Sequence, residues 1–551
     1  MPWPIVDPGM GDSFGREVEQ RKRRNDQDGG GQRMKKLAVT LFAGLLLLAI
    51  AAPLFAETYI DGLVFYRPRV YWNTDFQKDN ANTNNAHILP ILYLGAGYKA
   101  EDYAEAYFRL FSLGEAASLG GASYGGVEPA PNSDRHEFSL ARAWFDVRIP
   151  GTPVHFRLGR IDQTLGHGFY MNTPYGADGM KIWAPIGPVR LDVGYTKMNE
   201  KYDFSRDIDQ YFLQVSGQVA EGHQISAAIQ WFEGRNMNVA SNASSRADGS
   251  TDHIFTMWQP ITFDSHIWTL GVAADGSVPA GGISVSYRAE AVYAGGKLLD
   301  DFKKRTISGL KWQEESISGY ALLLGATANL GPATVTLEGA YGSGDKRKKL
   351  EEGAKNLGSG TKYEGFKVPM AQWGRTVWFD EWSFFPHSPT GDPFDFGGTF
   401  GGGVNKKGTK AAAAWHQRGL ENLIYLTLGA TYTPITPVTL GVDIFKLWAA
   451  QTAPKHGWDP DSRIYWAKKQ DRDLGWEIDL TAKWTLNKNF AVTGAFCPWI
   501  PGDYFKVPKG SWLVTDLDTF DPDTGTGGTR LAKNGDPGVG YVLRANCVFS
   551  F

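Results

Sequence analysis

Arginine recurs in short alternating segments, mostly in the first half of the chain, and its type and spacing could do chemistry. A guanidinium stays charged and presents a planar fork of donors that matches the oxygens of a carboxylate or a phosphate. Lining a narrow passage, such groups would attract anions without making or breaking a bond. The arginines concerned are Arg67, Arg69, Arg109, Arg142, Arg148, Arg157, Arg160, Arg190 and Arg288.

Covalent catalysis has no comparable support in the sequence. The H-E-x-x-H, G-x-S-x-G and P-loop patterns do not occur. His387, His416 and His456 are scattered in predicted loops with no spacing that suggests a metal or catalytic site. The sequence therefore predicts neither an enzyme nor a resident cofactor or metal. The balance of 56 basic and 59 acidic residues gives no sign of a nucleic-acid partner either.

The last twelve residues, GYVLRANCVFSF, show the kind of element that would position the arginines. Tyr541, Leu543 and Phe549 share one parity, and Arg544 and Asn546 share the other, which predicts a strand with one apolar and one polar face. Eighteen segments follow this alternation: 62–76, 87–98, 102–112, 138–149, 154–161, 177–185, 189–198, 207–218, 224–233, 265–275, 283–295, 316–329, 333–342, 421–432, 438–449, 473–485, 490–499 and 538–551.

Connections between these segments alternate between short and long. The short ones, such as IGP at 186 and LGP at 330, are built of turn residues, whereas loops such as 113–137, 234–264, 343–420 and 500–537 are long. Short turns on one side and long loops on the other are typical of transmembrane β-barrels. Since a strand in lipid needs a partner on both edges, residues 57–551 are predicted to form a closed antiparallel barrel of about 18 strands. Barrels of that size have room for an aqueous lumen.

Alternation also predicts which charged side chains face the lumen. In the first seven strands seven arginines meet three carboxylates, whereas later strands bring three cations and five acids. One interpretation is an arginine-lined wall that favours anions. The other is that inward charges pair across neighbouring strands and keep the lumen wet. The predicted inward residues are Arg67, Arg69, Glu105, Arg109, Arg142, Asp146, Arg148, His155, Arg157, Arg190, Asp192, Arg288, Glu290, Glu338, Asp443, Glu477, Asp479, Lys483 and Arg544, with inconsistent parity around Arg160, Asp178 and Lys181.

The N-terminal region has the features of an export signal. Residues 34–56, MKKLAVTLFAGLLLLAIAAPLFA, have a basic start, an apolar core and a small-residue end, which predicts a signal peptide cleaved after Ala56. The alternative is an uncleaved anchor helix. Residues 1–33 are polar and rich in Pro and Gly, and we interpret them as a misassigned start or a disordered extension. The predicted location is the outer membrane of a Gram-negative cell.

The stretch LARAWFDVRIPGTPVHFRLGRIDQTLGHGFYMNTPYGADGMKIW, residues 140–183, resembles the alginate-export family of outer-membrane porins. The resemblance is carried by Arg157, Gly159, Arg160, Gln163, Gly166, Gly168 and the Ala-Asp-Gly at 177–179. It implies an eighteen-stranded monomeric barrel with an electropositive conduit for an anionic polysaccharide. It further implies that Arg157, Arg160 and Asp178 are pore or constriction residues.

The long loop 343–420 carries Trp373, Trp378 and Trp382. These rings could stack on sugars at an outer vestibule, fold into the lumen as a constriction, or pack the loop against itself.

The function predicted first is a passive channel for anionic solutes, from small organic acids to acidic oligosaccharides or polysaccharide. An alternative is a barrel that sheathes a periplasmic partner such as a multihaem electron-transfer protein. Expected partners are outer-membrane lipid and lipopolysaccharide, and the barrel-assembly machinery through the terminal Phe551.

Overall fold

The computed structural model describes the chain in ranges separated by gaps. They are residues 57–72, 85–100, 103–113, 117–118, 138–168, 177–199, 208–238, 262–300, 306–307, 310–311, 315–344, 364–366, 420, 422–452, 457–459, 464–466, 471–506, 508–514, 519–521, 524–530 and 538–551. The predictions for residues 1–33, for the signal peptide 34–56 and for Trp373, Trp378 and Trp382 fall outside these ranges. No helix in the described ranges is long and apolar enough to cross a membrane.

The chain divides into two compact units. One, Ile60–Gly97 with Tyr103–Phe551, contains nearly all of the β-structure. Of the other, Met1–Tyr59 with Tyr98–Asp102, only residues 57–59 and 98–100 are described, and these are strand ends.

Eighteen long strands form one closed antiparallel sheet, as the alternation predicted. They are β1 (Glu57–Trp72), β2 (Asn85–Ala100), β3 (Ala104–Leu113), β4 (Phe138–Arg148), β5 (His155–Ile161), β6 (Ala177–Ile186), β7 (Val189–Asn199), β8 (Ile208–Ala220), β9 (His223–Asn238), β10 (Thr262–Ala280), β11 (Ile283–Asp300), β12 (Glu315–Leu330), β13 (Ala333–Gly342), β14 (Leu423–Ile435), β15 (Val438–Ala449), β16 (Asp473–Thr485), β17 (Phe490–Pro501) and β18 (Gly540–Ser550). A two-residue strand, Ala117–Ser118, pairs with β2 as a nineteenth member.

The barrel closes where the last strand meets the first. Each strand pairs with the next, and β18 pairs antiparallel with β1 from Leu63 opposite Ser550 to Trp72 opposite Tyr541. Phe551 continues this ladder, because its backbone exchanges hydrogen bonds of 3.0 and 3.1 Å with that of Gly62. Among the described strands of the barrel none has an unpaired edge, which is what a sheet surrounded by lipid requires.

Short connections lie at one end of the barrel and long connections at the other. Two-residue turns join β6 to β7, β8 to β9, β10 to β11, β12 to β13 and β14 to β15. Three strands continue five residues beyond their predicted ends: β9 to Asn238, β11 to Asp300, and β10 from the expected 275 to Ala280. The turn after β10 is made by Gly281 and Gly282. Both glycines have positive φ, which a tight turn between two long strands requires.

The two faces of the sheet differ in polarity. Along β14, Leu423, Tyr425 and Thr427 face inward and are buried, whereas Leu426 and Leu428 face outward and are exposed. Exposed apolar side chains recur at outward positions around the barrel. The outward face is therefore made for an apolar environment, and the inward face holds the buried polar groups.

Aromatic residues border this outward apolar band. Near the long-loop end, Tyr195, Tyr211, Trp231 and Trp268 stand directly opposite one another on β7 to β10, and we call them the aromatic row. Near the short-turn end, Tyr432, Trp484 and Phe549 are exposed on outward positions. Aromatic girdles at both borders of an apolar band are a feature of transmembrane barrels.

A second, smaller sheet lies within the long connections. Its four strands are Gly457–Asp459, Ile464–Trp466, Trp512–Val514 and Gly528–Arg530, drawn from the β15–β16 and β17–β18 connections. A one-turn 3-10 helix, Asp503–Phe505, follows β17. Residues 500–537 were predicted to form a long loop, and the prediction did not include these short strands.

Candidate functional site

Charged side chains line the inward faces of β1 to β7, which we call the near wall. At its first strand, Asp61 accepts hydrogen bonds from Tyr107 at 2.8 and 2.9 Å and from the Arg109 Nη2 at 2.6 Å. The Arg109 guanidinium also lies 5.4 Å from the centre of the Tyr107 ring. The carboxylate and the ring thus fix the direction in which this arginine points.

Asp146 on β4 has three side-chain partners in the near wall. It is 5% exposed, and its oxygens lie 2.8 Å from His155 Nδ1, 2.9 Å from Arg157 Nε and 3.1 Å from the indole nitrogen of Trp183. These partners come from β5 and β6, so one carboxylate ties three neighbouring strands together. Charge-assisted bonds of this kind are short and about twice as strong as neutral ones.

Aromatic rings hold the cations around Asp146. The Arg157 guanidinium lies over Trp144 at 3.8 Å, and the Arg190 guanidinium lies over Trp183 at 4.3 Å. His155 stacks on Trp183 with ring centres 3.8 Å apart. Cation–π contacts add attraction and immobilise long side chains. The near wall is therefore a set of fixed charges.

Asp192 on β7 organises the adjoining part of the near wall. Arg190 donates to both of its oxygens, at 2.8 and 2.7 Å, in a bidentate pair. Lys181 lies 3.8 Å from the same carboxylate and also donates to Gln163 at 3.2 Å. Through Gln163 the near wall contacts the segment that follows β5.

Residues 162–168, which we call the crossing segment, leave β5 and enter the lumen. Asp162 lies 3.1 Å from Arg142 Nη2 on β4, which anchors the start of the segment to the near wall. Leu165 is fully buried and belongs to the inward apolar cluster formed with residues such as Phe212 and Phe445. The segment is thus packed inside the barrel.

His167 fastens the other end of the crossing segment to the far wall, the inward faces of β10 to β13. Its backbone N–H donates to Glu290 Oε2 at 2.8 Å, and its Nδ1 lies 2.7 Å from the same oxygen. Its Nε2 lies 2.7 Å from Asp275 Oδ1. A doubly protonated imidazole donates through both nitrogens, so the two carboxylates favour the charged form. The pKa of His167 is raised, chiefly by the hydrogen bond with Glu290.

Glycine is required beside His167 for two reasons. Gly166 and Gly168 have φ of +56° and +90°, in the left-handed region that glycine tolerates best. A Cβ on Gly166 would also lie 2.0 Å from Glu290 Oε1. The backbone can reach the far wall only because these side chains are absent.

The far wall has its own ion pair near the contact of His167. Arg288 on β11 pairs with Glu338 on β13, and Tyr425 donates to the other oxygen of Glu338 at 2.8 Å. Glu290 and Glu338 are both almost fully buried. The far wall therefore presents carboxylates, whereas the near wall has an excess of cations.

Most of the predicted pore residues lie on the inward face. Arg109, Arg142, Arg157, Arg190 and Arg288 each contact a carboxylate. Arg148 donates instead to the backbone oxygen of Thr152 at the β4–β5 turn. Arg67 lies over the Phe65 ring at 4.4 Å. For Arg69 the structure describes only the backbone, opposite Arg544.

Arg160 and Asp178 are placed differently from the prediction. They stand opposite each other across β5 and β6 and are joined at 3.3 Å, and the Asp178 side chain is 67% exposed. Asp178 shares its parity with exposed Met180 and Ile182, so the pair faces outward. The prediction that Arg160 and Asp178 line the pore is therefore corrected. The reason is that the pore role was taken from the family resemblance, whereas the alternation runs unbroken from inward Arg157 and turns Arg160 outward. Lys181, on the other parity of β6, faces the lumen.

Sequence reasoning missed His167 and the rings that hold the near-wall cations. Trp144 and Trp183 both lie on predicted strands. Trp144 has the same parity as Asp146, so alternation alone would have placed its ring on the inward face. His167 stood within a predicted Gly-rich loop. Its flanking glycines, in the order Gly-His-Gly, were the signal for a backbone in close contact with another part of the molecule.

Similarity to known proteins is found among solved structures only. No family model and no curated protein matches the chain. Among solved structures, the outer membrane protein OprD of Pseudomonas aeruginosa is similar with 10% identity and a TM-score of 0.43, covering 90% of this chain and 94% of that one. OccK2 (OpdF) of the same organism, in complex with glucuronate, has 8% identity and a TM-score of 0.46, covering 90% of this chain and 96% of that one. OccK5 (OpdH) of Pseudomonas aeruginosa has 9% identity and a TM-score of 0.46, covering 90% of this chain and 98% of that one.

All of these TM-scores are below 0.5 and the identities are 10% or less, so what this chain binds is inferred from its own residues. The resemblance to the alginate-export family stays a prediction, because no family model matches.

Proposed function

We propose that this protein is an outer-membrane channel for small hydrophilic solutes, with a preference for anions such as acidic sugars. One observation carries the proposal: a closed barrel of eighteen long strands has an apolar outward band, fixed inward charges and a segment that crosses its interior. An apolar band between aromatic girdles suits a bilayer, and the short-turn end would then face the periplasm.

The near wall supports a preference for anions, and its ion pairs limit the strength of that preference. Among the side chains that the structure describes on β1 to β7, the inward face carries more cations than carboxylates. The cations include Arg67, Arg109, Arg142, Arg148, Arg157, Lys181 and Arg190, and the carboxylates include Asp61, Glu105, Asp146 and Asp192, with Asp162 beside them on the crossing segment. Because most arginines are paired, their field is partly cancelled, and we expect only a few-fold preference for anions.

The crossing segment supports a size limit. It spans from Arg142 on β4 to Glu290 on β11, so a solute has to pass between this segment and the remaining wall. The same segment occupies space that a sheathed periplasmic partner would need. We therefore favour the channel over the sheath for a multihaem protein.

Solute flux tests the proposal directly. Full-chain protein purified from outer membranes would be reconstituted in liposomes, and release of glucose, a singly charged sugar acid and an acidic oligosaccharide would be compared. We expect the small sugar acid to leave faster than glucose and the oligosaccharide to leave slowest. If these solutes left protein-free liposomes as fast as liposomes that contain the protein, the channel proposal would be contradicted.

A further inference from the structure

Residues 364–366 of the β13–β14 connection lie inside the barrel, and we call them the inner segment. Gly319 on β12 shares its parity with buried Ala321 and therefore faces the lumen. A Cβ on Gly319 would lie 2.2 Å from the backbone oxygen of Gly365 and 2.6 Å from the Cα of Phe366. The backbone of the inner segment thus rests directly on the wall, at a position where glycine leaves room for it.

Ser343, the residue after β13, fixes the inner segment to the wall. Its backbone oxygen accepts a hydrogen bond from the Phe366 N–H at 2.8 Å, and its hydroxyl donates to the backbone oxygen of Glu364 at 2.7 Å. Ser343 is itself bound to β12, because its N–H donates to the Tyr320 backbone oxygen at 2.9 Å and the Tyr320 N–H donates to its hydroxyl at 3.0 Å. These bonds position the backbone of Phe366 relative to β12.

The Phe366 ring and Leu165 of the crossing segment are parts of one buried apolar cluster. Both side chains are almost completely excluded from solvent. The cluster includes wall residues of β11 and β12, among them Ala294 and Ala321. Ala294 stands opposite Gly319, where the inner segment rests. The inner segment and the crossing segment therefore pack against the same region of the wall.

The crossing segment is thus held by two kinds of contact. His167 bonds carboxylates of the far wall, and Leu165, two residues earlier, packs in the apolar cluster. The two contacts adjoin, because Glu290, which binds His167, lies on the same face of β11 as Val292 of the cluster and two residues before it. The wall strands pair with their neighbours, whereas the crossing segment is not a strand of the barrel. A cavity left by loss of the Phe366 ring would therefore be filled by movement of the crossing segment.

We infer that Phe366 is a positioning residue for the passage. Its ring packs Leu165 in place and so sets how far the crossing segment stands from the near wall. Only this effect on the width of the passage rests on the proposed function. The packing itself is a property of the folded barrel and is measured without solute or current.

Hydrogen–deuterium exchange of the detergent-solubilised full-chain protein tests the packing, read by mass spectrometry on peptides that cover residues 162–168. F366A removes the ring, and F366L keeps a large apolar side chain at the same position. F496A is the matched control, since Phe496 on β17 points outward and is 40% exposed. Peptides from β7 and β8 report whether the barrel as a whole stays folded.

We expect exchange across residues 162–168 to become roughly ten-fold faster in F366A, because amides such as that of His167 lose protection when the segment moves. F366L and F496A should stay within about two-fold of wild type, and the β7 and β8 peptides should not change in any variant. Unchanged exchange across 162–168 in folded F366A would overturn the inference. Equal acceleration in the β7 and β8 peptides would show a general loss of stability and would overturn it as well.

A graded series replaces F366A if that variant does not assemble. Exchange across 162–168 should then rise from wild type through F366L to F366V, as the side chain becomes smaller. A flat series would overturn the inference in the same way.

Single-channel conductance tests the consequence for the passage. F366A should conduct about one and a half to two times more than wild type, whereas F366L should match wild type. Faster exchange with unchanged conductance would overturn the positioning role. If wild type itself carries no current, the proposed function fails, and the exchange measurement still decides whether Phe366 holds the crossing segment.

Discussion

The imidazole of His167 lies between two carboxylates of the far wall, 2.7 Å from Glu290 Oε2 and 2.7 Å from Asp275 Oδ1. His167 follows β5, whereas its partners belong to β11 and β10. This relationship ties the crossing segment to the far wall, and we expect the width of the passage to depend in part on the protonation of His167.

Replacing His167 should therefore widen the channel. We expect H167A to increase single-channel conductance by about one and a half to three times, because the segment loses its charge-assisted bonds to the far wall. H223A is the matched control, since His223 bonds Tyr287 on the outward face near a short turn. A conductance of H167A equal to that of wild type would show that other contacts hold the segment.

Conductance should also depend on pH. The pKa of His167 is raised, chiefly by its hydrogen bond to Glu290, so the paired, protonated form is fully present below the ordinary histidine value of about 6.5. The contact is lost as pH rises through the raised pKa. In wild type we expect conductance to increase as the pH rises from 6.5 to above the raised pKa of His167. In H167A we expect conductance to stay constant over the same range. An increase of the same size in H167A would assign the effect to another group.

The near wall should set ion selectivity, whereas the outward pair should not. We expect R157Q/R190Q to shift the reversal potential in a KCl gradient toward that of a cation-selective pore, because two inward positive charges are removed. R160Q is the control, since its partner Asp178 faces outward. Equal shifts in the two variants would mean that the facing of Arg160 is assigned incorrectly.

Asp146 should matter for stability. D146N leaves His155, Arg157 and Trp183 without their shared carboxylate, so we expect unfolding in detergent to become easier by about 2–4 kcal/mol. D178N removes an exposed, singly bonded carboxylate and should cost under about 1 kcal/mol. Urea titrations followed by tryptophan fluorescence provide the comparison. A smaller loss for D146N than for D178N would contradict the connected role of Asp146.

The strands were predictable from sequence because alternation and turn residues are local signals. GYVLRANCVFSF gave the closing strand, and Gly-Pro pairs marked turns such as 187–188. Facing failed at Arg160 and Asp178, because their pore role was taken from the family resemblance, whereas the alternation runs unbroken through Gly159 and turns both side chains outward. The end of β10 was also misplaced, because Gly276 looks like a turn residue but lies within the strand.

The candidate site could be predicted only in part. Inward charges such as Asp146 and Arg157 follow from parity, and their mutual pairing was one of two open interpretations. The contact of His167 with Glu290 joins residues 123 positions apart. No local periodicity encodes such a contact, and the same holds for the small sheet built from two separate connections.

The reversal potential of the wild-type protein in a planar bilayer tests the central claim most directly. Full-chain protein from outer membranes would be inserted under a ten-fold KCl gradient. The proposed channel predicts discrete current steps with a reversal potential displaced modestly toward the chloride equilibrium potential. Absence of any current, or a reversal potential near that of potassium, would contradict a channel whose near wall favours anions.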